Sequence, residues 1–223
     1  MGIDVWQPRT HIDAQSSPVS LAETDDNWDN LDADIAQCTR CDLCETRKLS
    51  VFGSGNKNAD WMIIDDTPRQ SDNVATTLLS ASDLLLTEML RAIGLERQEI
   101  FITNAIKCYP RGNHDPKPSE IEACKIYLLR QQALIKPKII LALGVVAAKS
   151  LLRTDKPIEA LREKSHTLND TPVVVSYEPA DLLSSSLDKR KAWSDLKFAI
   201  QIIKKQKVAH VENARQNKRL CDL

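Results

Sequence analysis

The chain has 223 residues and a formal net charge of −1, and this length suits one domain of ordinary size with tails. It has no run of about 18 apolar residues and no signal-peptide pattern, which predicts a cytoplasmic protein without a membrane partner. Six cysteines in such a chain indicate metal or redox chemistry rather than a disulfide framework.

The charges are distributed unevenly along the chain. Residues 1–37 carry eight acids and one base, a net charge of −7, whereas residues 189–223 carry ten bases and three acids, a net charge of +7. The segment between them is nearly neutral, so its composition does not show the excess of basic residues expected of a surface that binds duplex DNA. Because its lysines and arginines fall at mixed spacings, we interpret the basic C-terminal segment as a solvated helix face, with DNA binding as the alternative.

Two segments precede the predicted domain. Residues 1–9 (MGIDVWQPR) present apolar anchors that no local core would bury, which predicts a partner-docking peptide; a frayed terminus is the competing interpretation. Residues 10–35 are acidic and lack hydrophobic periodicity, and they are predicted to form a disordered linker.

From residue 36 onward, short apolar strands alternate with helical patterns. Strands are predicted at 61–64, 100–105, 138–143 and 173–176, and helices at 77–93, behind Pro118, at 145–152 and from near Asp188. Ser119 and Glu122 have the spacing of a capping box for the helix behind Pro118. This alternation predicts an α/β domain over 36–203, with a parallel sheet between layers of helices and a basic helix or tail over 204–223.

Function in such a sheet gathers at the carboxyl ends of the strands. The segments predicted at these ends are Asp65-Asp66-Thr67-Pro68, Asn104 to Cys108, Gly144 and Tyr177-Glu178-Pro179.

Four cysteines have the spacing of a metal centre. Cys38 and Cys41 form a C-x2-C pair, and Cys108 and Cys124 form a second, distant pair that the fold would bring to the same edge of the sheet. Tetrahedral zinc and a [4Fe–4S] cluster both take four thiolates, so the spacing leaves both open. Cys44 extends the first pair to C-x2-C-x2-C and makes the register ambiguous.

The chain resembles the family-4 uracil-DNA glycosylases, which are iron–sulfur enzymes. The matching segments lie within about residues 36–200 and are CTRCDLCETR, FGSGNKNADWMII, FITNAIKCYPRGNHDPKPSEIEACKIYLLRQQALIKPKIILALG and Val173 to Trp193. The resemblance implies a three-layer αβα fold with a four-stranded parallel sheet. It also implies a [4Fe–4S] cluster in preference to zinc, with Cys44 as a spare and with the ligands Cys38, Cys41, Cys108 and Cys124.

The same resemblance indicates a degenerate base pocket. The family's Gly-Glu-Ala-Pro-Gly loop reads Asp65-Asp66-Thr67-Pro68-Arg69, its base-stacking aromatic aligns with Leu78, and its His-Pro motif reads Glu178-Pro179. An ionised glutamate is only an acceptor and would repel a departing uracil anion. Only Asn104 matches the residue that reads uracil, so no catalytic residue is assigned to this chain, and a new Asp66–Glu178 acid/base pair is the less favoured alternative.

The N-terminal peptide resembles the start of the psi subunit of bacterial DNA polymerase III, with matches at Gly2, Ile3, Trp6 and Arg9. In psi this peptide docks on the chi subunit, and psi bridges chi to the clamp loader. Together with the degenerate pocket, the match predicts a non-catalytic replication component that binds chi through Ile3, Trp6 and Arg9. The alternative is an active uracil-DNA glycosylase of base-excision repair with altered or weak activity, for which DNA is the partner.

Overall fold

The structure is a computed structural model that describes residues 27–68, 80–109 and 115–221, with no side chain described at 207 or from 209 onward. The predicted docking peptide, most of the predicted linker, and Leu78 lie outside the described residues.

Six strands form one mixed sheet: β1 (Ser54–Gly55), β2 (Trp61–Asp65), β3 (Ile100–Asn104), β4 (Ile139–Leu143), β5 (His166–Leu168) and β6 (Thr171–Ser176), in the order β1-β3-β2-β4-β6-β5. The four central strands are parallel, as predicted from their apolar runs. The two short edge strands pair antiparallel to them and were not predicted. They are partly exposed and too short to show a strand period.

Eight α-helices are described: α1 (Trp28–Ala36), α2 (Leu43–Thr46), α3 (Ala81–Ala92), α4 (Pro118–Ile135), α5 (Val145–Leu152), α6 (Ile158–Leu161), α7 (Pro179–Ser184) and α8 (Ser186–Cys221). One face of the sheet is covered by α3 and α8 through side chains such as Leu90 and Leu196. Helices α4 and α5 cover the other face through Leu128 and Leu151. The predicted three-layer α/β arrangement is therefore confirmed.

Several local predictions need correction. Residues 28–35 of the predicted linker are helical in α1, because Leu31 and Ile35 are buried there against the cysteine-bearing loops. The predicted capping box of α4 is wrong as well. Pro118, which has no N–H, takes the first helical position, so that the Glu120 carboxylate accepts from the Lys117 N–H at 2.8 Å. Glu122 lies instead 3.9 Å from Arg153.

The C-terminal helix crosses the predicted boundary at 203–204 without a break. Its start at Ser186 agrees with the prediction near Asp188, but α8 continues unbroken to Cys221. None of the helices within the described residues is both long enough and apolar enough to cross a membrane.

Candidate active site and cysteine cluster

The carboxyl ends of the parallel strands bring the predicted pocket residues to one edge. The strand register aligns Asp65 with Asn104 and with Leu143, and Leu143 with Ser176. The next residues along these strands are therefore neighbours too, so Asp66, Gly144 and Tyr177 follow in a second row. The predicted site residues Asp66, Asn104 and Glu178 consequently belong to the same edge of the sheet.

The Asp66 carboxylate lies against the N-terminus of α5. Its side chain is buried, and its Oδ1 accepts from the Ala147 N–H at 2.7 Å. The residue before α5 is Gly144, with φ +105°, and an added Cβ there would lie 2.4 Å from the Asp66 carboxylate. A glycine is thus required both by the backbone conformation and by the close approach of the carboxylate. Asp66 supplies the capping group that Gly144 lacks.

Burial raises the pKa of Asp66 to about 7. The backbone N–H groups of Ala147 and Val146 oppose this rise, while the nearby charges of Glu178 and Asp181 add to it. The carboxyl group is therefore poised to exchange a proton near neutral pH, which is what a general base requires.

Glu178 is half-buried and lies immediately before α7, whose first residue is Pro179. The preceding residue, Tyr177, is buried and packs under two cations, with the Arg162 guanidinium 4.8 Å and the Lys191 Nζ 5.5 Å from its ring centroid. Cation–π contacts of this kind fix the ring and so hold the loop that carries Glu178.

A buried ion pair that the sequence did not suggest supports this loop. Arg162 donates to both Asp195 oxygens at 2.8 and 2.9 Å, and the Ser176 hydroxyl donates to Asp195 Oδ2 at 2.8 Å. The only available signal was Asp195 itself, an acid within the apolar face of α8. Its partner Arg162 is distant in sequence, which hid the pair.

Asn104 is buried at the end of β3, and the loop behind it contains a buried lysine that sequence analysis missed. Lys107 Nζ donates to Thr103 Oγ1 at 2.5 Å and to Gln131 Oε1 at 2.7 Å, and Gln131 Nε2 donates to the Phe52 carbonyl at 2.7 Å. Burial lowers the pKa of Lys107 to about 7. This network ties the Asn104 loop to α4.

The four predicted ligand cysteines converge at the end of this loop. Cys108 and Cys124 are buried, and Cys38 and Cys41 pack against the same apolar cluster. Two of the sulfur atoms accept hydrogen bonds. Arg47 Nη1 lies 3.1 Å from Cys108 Sγ, and the Lys107 backbone nitrogen lies 3.3 Å from Cys124 Sγ. Arg47 Nη2 also donates to the Ala36 carbonyl at 2.8 Å, which joins α1 to the cluster.

The donor set suits a group that binds thiolates. Burial raises the pKa of Cys124 to about 11 and also raises the pKa of Cys108, so these thiols need a cation to become thiolates. Within the described residues, no group of three or more His, Cys, Asp or Glu side chains already has the arrangement of a metal site.

Comparison with known proteins decides the family. Residues 52–197 match the Uracil DNA glycosylase superfamily. The chain belongs to this superfamily. A protein of Archaeoglobus fulgidus named type-4 uracil-DNA glycosylase is 40% identical over 125 residues, which cover 56% of this chain and 63% of that protein. This chain therefore spans less than two thirds of that relative.

Two further relatives with the same name match over longer stretches. The Saccharolobus solfataricus protein is 39% identical over 168 residues, covering 71% of this chain and 78% of the relative. The Thermotoga maritima protein is 30% identical over 178 residues, covering 77% and 92% respectively.

These relatives overturn the main functional prediction. The interpretation as a non-catalytic replication component bridging chi and the clamp loader is wrong, because the matching proteins are named as glycosylases. That interpretation gave too much weight to a nine-residue peptide and to lost pocket groups. Residues Ile3, Trp6 and Arg9 lie outside the described residues, and no comparison supports the psi resemblance.

Proposed function

We propose that the protein is a divergent DNA glycosylase that hydrolyses the N-glycosidic bond of uracil in DNA, as an enzyme of base-excision repair. The observation that carries the proposal is the joint placement of buried Asp66 and buried Asn104 at one sheet edge in a chain of this superfamily. Names of relatives that specify uracil-DNA glycosylase support the choice of base.

The proposed reaction is a hydrolysis. The bond between the sugar C1′ and the base nitrogen breaks, its electron pair leaves with the base, and water adds to C1′. Asp66, as the carboxylate, would accept a proton from that water. The base would have to leave the stack to reach the buried edge, where Asn104 would donate and accept hydrogen bonds at its polar face.

Glu178 would slow the departure of the base. Its carboxylate lies near Asp66 and would repel the anion that develops on uracil. We therefore expect a slow rate of uracil excision, which should rise when a hydrogen-bond donor replaces the Glu178 carboxylate. Glu178→His, which restores the residue of the family pattern, is expected to raise the excision rate at least about tenfold, within the usual contribution of a positioned acid or donor.

Cys38, Cys41, Cys108 and Cys124 would hold a [4Fe–4S] cluster. When bound, the cluster supplies strong iron–thiolate bonds that hold the two cysteine loops together. The chain's own residues position the sulfurs and the loop. Arg47 and the Lys107 N–H donate to the sulfurs, and Lys107 Nζ holds the loop that leads to Asn104.

The test is single-turnover release of uracil from single- and double-stranded oligonucleotides, using anaerobically purified full-length protein. Matched thymine oligonucleotides serve as the substrate control, and Asn104→Ala as the pocket control. Release of uracil that Asn104→Ala reduces supports the proposal. The absence of uracil release from iron-loaded parent protein and from Glu178→His alike would refute it.

A further inference from the structure

The outer face of α8 carries an uncompensated stripe of positive charge. The stripe consists of Lys189, Arg190, Lys197, Lys204 and Lys205, all of which are exposed. Between Lys189 and Gln206 the only acid is Asp195, which is fully buried and already paired with Arg162. The helix face that contains the stripe therefore has no negative charge of its own in this segment.

Helical spacing places Arg190, Lys197, Lys204 and Lys205 on one side of α8, and Lys189 lies at the edge of that side. Arg190, Lys197 and Lys204 recur every seven residues, which is close to two turns, or about 10 Å along the axis. The residues that bury α8 against the sheet, Leu196 and Ala199 among them, occupy the other side. The stripe therefore faces away from the domain core.

Among the described residues, some basic residues elsewhere in the domain are paired with carboxylates, unlike those of the stripe. Lys138, Arg91 and Arg130 each form an ion pair with a carboxylate at 2.7 to 2.8 Å. Within the described part of the chain, the five stripe residues have no such ion pair. An anionic partner can bind such a charge without an ion pair within the protein having to break first.

The length of α8 favours a long polyanion. The helix extends 18 residues beyond Ile203, the last buried residue described in it, a further length of about 27 Å at the usual helical rise. More basic residues follow along this extension: Lys207, Arg215, Lys218 and Arg219. The seven-residue repeat of about 10 Å corresponds to the rise of roughly three base pairs of duplex DNA.

An exposed aromatic ring lies within the stripe. Trp193 is 40% exposed and sits four residues from both Lys189 and Lys197, on the same side of the helix. Basic side chains interleaved with an exposed aromatic are the combination by which proteins hold nucleic-acid backbones and unpaired bases.

We infer that the stripe on α8 is a second DNA-binding surface, which contacts phosphates outside the base pocket. The inference depends on the proposed function for DNA as substrate, and it concerns a different part of the molecule. We favour this surface over the solvated-face interpretation drawn from the mixed spacings, because the seven-residue repeat stands out only once the buried side of α8 is known.

The experiment compares two triple variants of the full-length protein, K197Q/K204Q/K205Q on the stripe and K48Q/K156Q/K164Q at exposed lysines elsewhere. Both remove three charges. Binding to an undamaged duplex is measured by fluorescence anisotropy between about 50 and 200 mM salt, the range in which phosphate contacts are most evident. The stripe variant should lower the slope of log Kobs against log[salt] by about 0.9 per lost contact, about 2 to 3 in all. The control should keep the parent slope.

Equal slopes for the parent and the stripe variant would overturn the inference. A stripe variant that lost binding to phosphatidylserine vesicles while keeping its DNA slope would also overturn it, because the surface would then serve a membrane. Uracil release at saturating protein is recorded separately for the parent and the control variant, and the control should keep the parent rate. A parent that releases no uracil, combined with a lower slope in the stripe variant, would refute the proposed function and leave the DNA-binding surface standing.

Discussion

The cysteine cluster and the base pocket lie at the two ends of one short loop, yet they relate differently to the family pattern. At the cluster all four ligand positions are cysteine, and N–H donors already lie beside two of the sulfurs. At the pocket, Asp66 replaces the expected glutamate and Glu178 the expected histidine, and the Asp66 carboxylate also caps α5. The comparison teaches that the candidate cluster positions keep the residue type of the family, whereas the candidate base-pocket positions do not. Stability and activity should therefore separate by region.

The largest effect is expected from the cluster. Cys108→Ser or Cys124→Ser should abolish iron binding and give insoluble protein, because metal binding at such sites is coupled to folding. Iron content per chain and the soluble fraction measure both effects. Cys44→Ser is the matched control and should retain iron. A soluble, well-folded and iron-free Cys108→Ser protein would contradict the expectation that the cluster region controls stability.

The pocket should lose activity without losing stability. Asp66→Asn is expected to lower the single-turnover rate of uracil release by at least about 10²-fold, the lower end for a lost general base. The thermal midpoint should not fall, because the amide oxygen can still accept from the Ala147 N–H. Asp170→Asn, the same change at an exposed turn residue, is the control for both measurements. Equal excision rates for the two variants would exclude Asp66 from catalysis.

Gly144 lies directly against the Asp66 carboxylate of the pocket, and replacing it should lower stability. In Gly144→Ala the positive φ and the clash with Asp66 together are expected to cost about 1–3 kcal/mol of unfolding free energy. Urea titration measures the loss. Gly94→Ala is the matched control, since Gly94 has φ +79° but no atom within 4 Å of the added Cβ. A loss in Gly144→Ala no larger than in Gly94→Ala would show that the Asp66 contact is unimportant.

The smallest predicted effect is on pH dependence. In the proposed reaction Asp66 acts in its ionised form, and its pKa is about 7, so excision should be about tenfold slower at pH 6 than at pH 8. Glu178→Gln removes a neighbouring negative charge and should move the inflection to lower pH. Rate profiles of the parent and the variant between these limits measure the shift, and an unmoved inflection would contradict the coupling.

The same pKa has a stability consequence of defined sign. In the unfolded chain Asp66 ionises near 3.8, whereas in the folded protein it ionises near 7. Between these values the folded state binds more protons, so the contribution of Asp66 to stability falls as the pH rises through this range. At pH 8 the cost of the buried charge is fully present, which is why Asp66→Asn should not destabilise the protein there.

Much of the fold follows from the sequence, because the four central strands are short, continuous apolar runs and the helices between them show apolar periodicity. The edge strand His166–Leu168 could not be predicted, since its three residues carry no period. Helix α1 was missed because its acidic exposed side hid the two buried residues, Leu31 and Ile35.

The placement of the candidate site residues was predicted in part. Asp66, Asn104 and Glu178 lie at or just beyond the carboxyl ends of predicted strands, so their common edge was expected. The capping of α5 by Asp66 could not be anticipated, because it depends on the distance from a loop to a helix that is 81 positions away in sequence. The Arg162–Asp195 pair and the Lys107 network were hidden for the same reason.

The loop from Asn104 to Cys108 has a mechanical consequence. Four residues can span at most about 14 Å when fully extended, and here the isolated bridge between Ser50 and Cys108 and the Lys107 bonds remove most of the slack. Asn104, which would read the base, is therefore held close to Cys108, a proposed ligand of the cluster. In the proposed enzyme, loss of the cluster would release the Cys108 end of this segment and so loosen the position of Asn104.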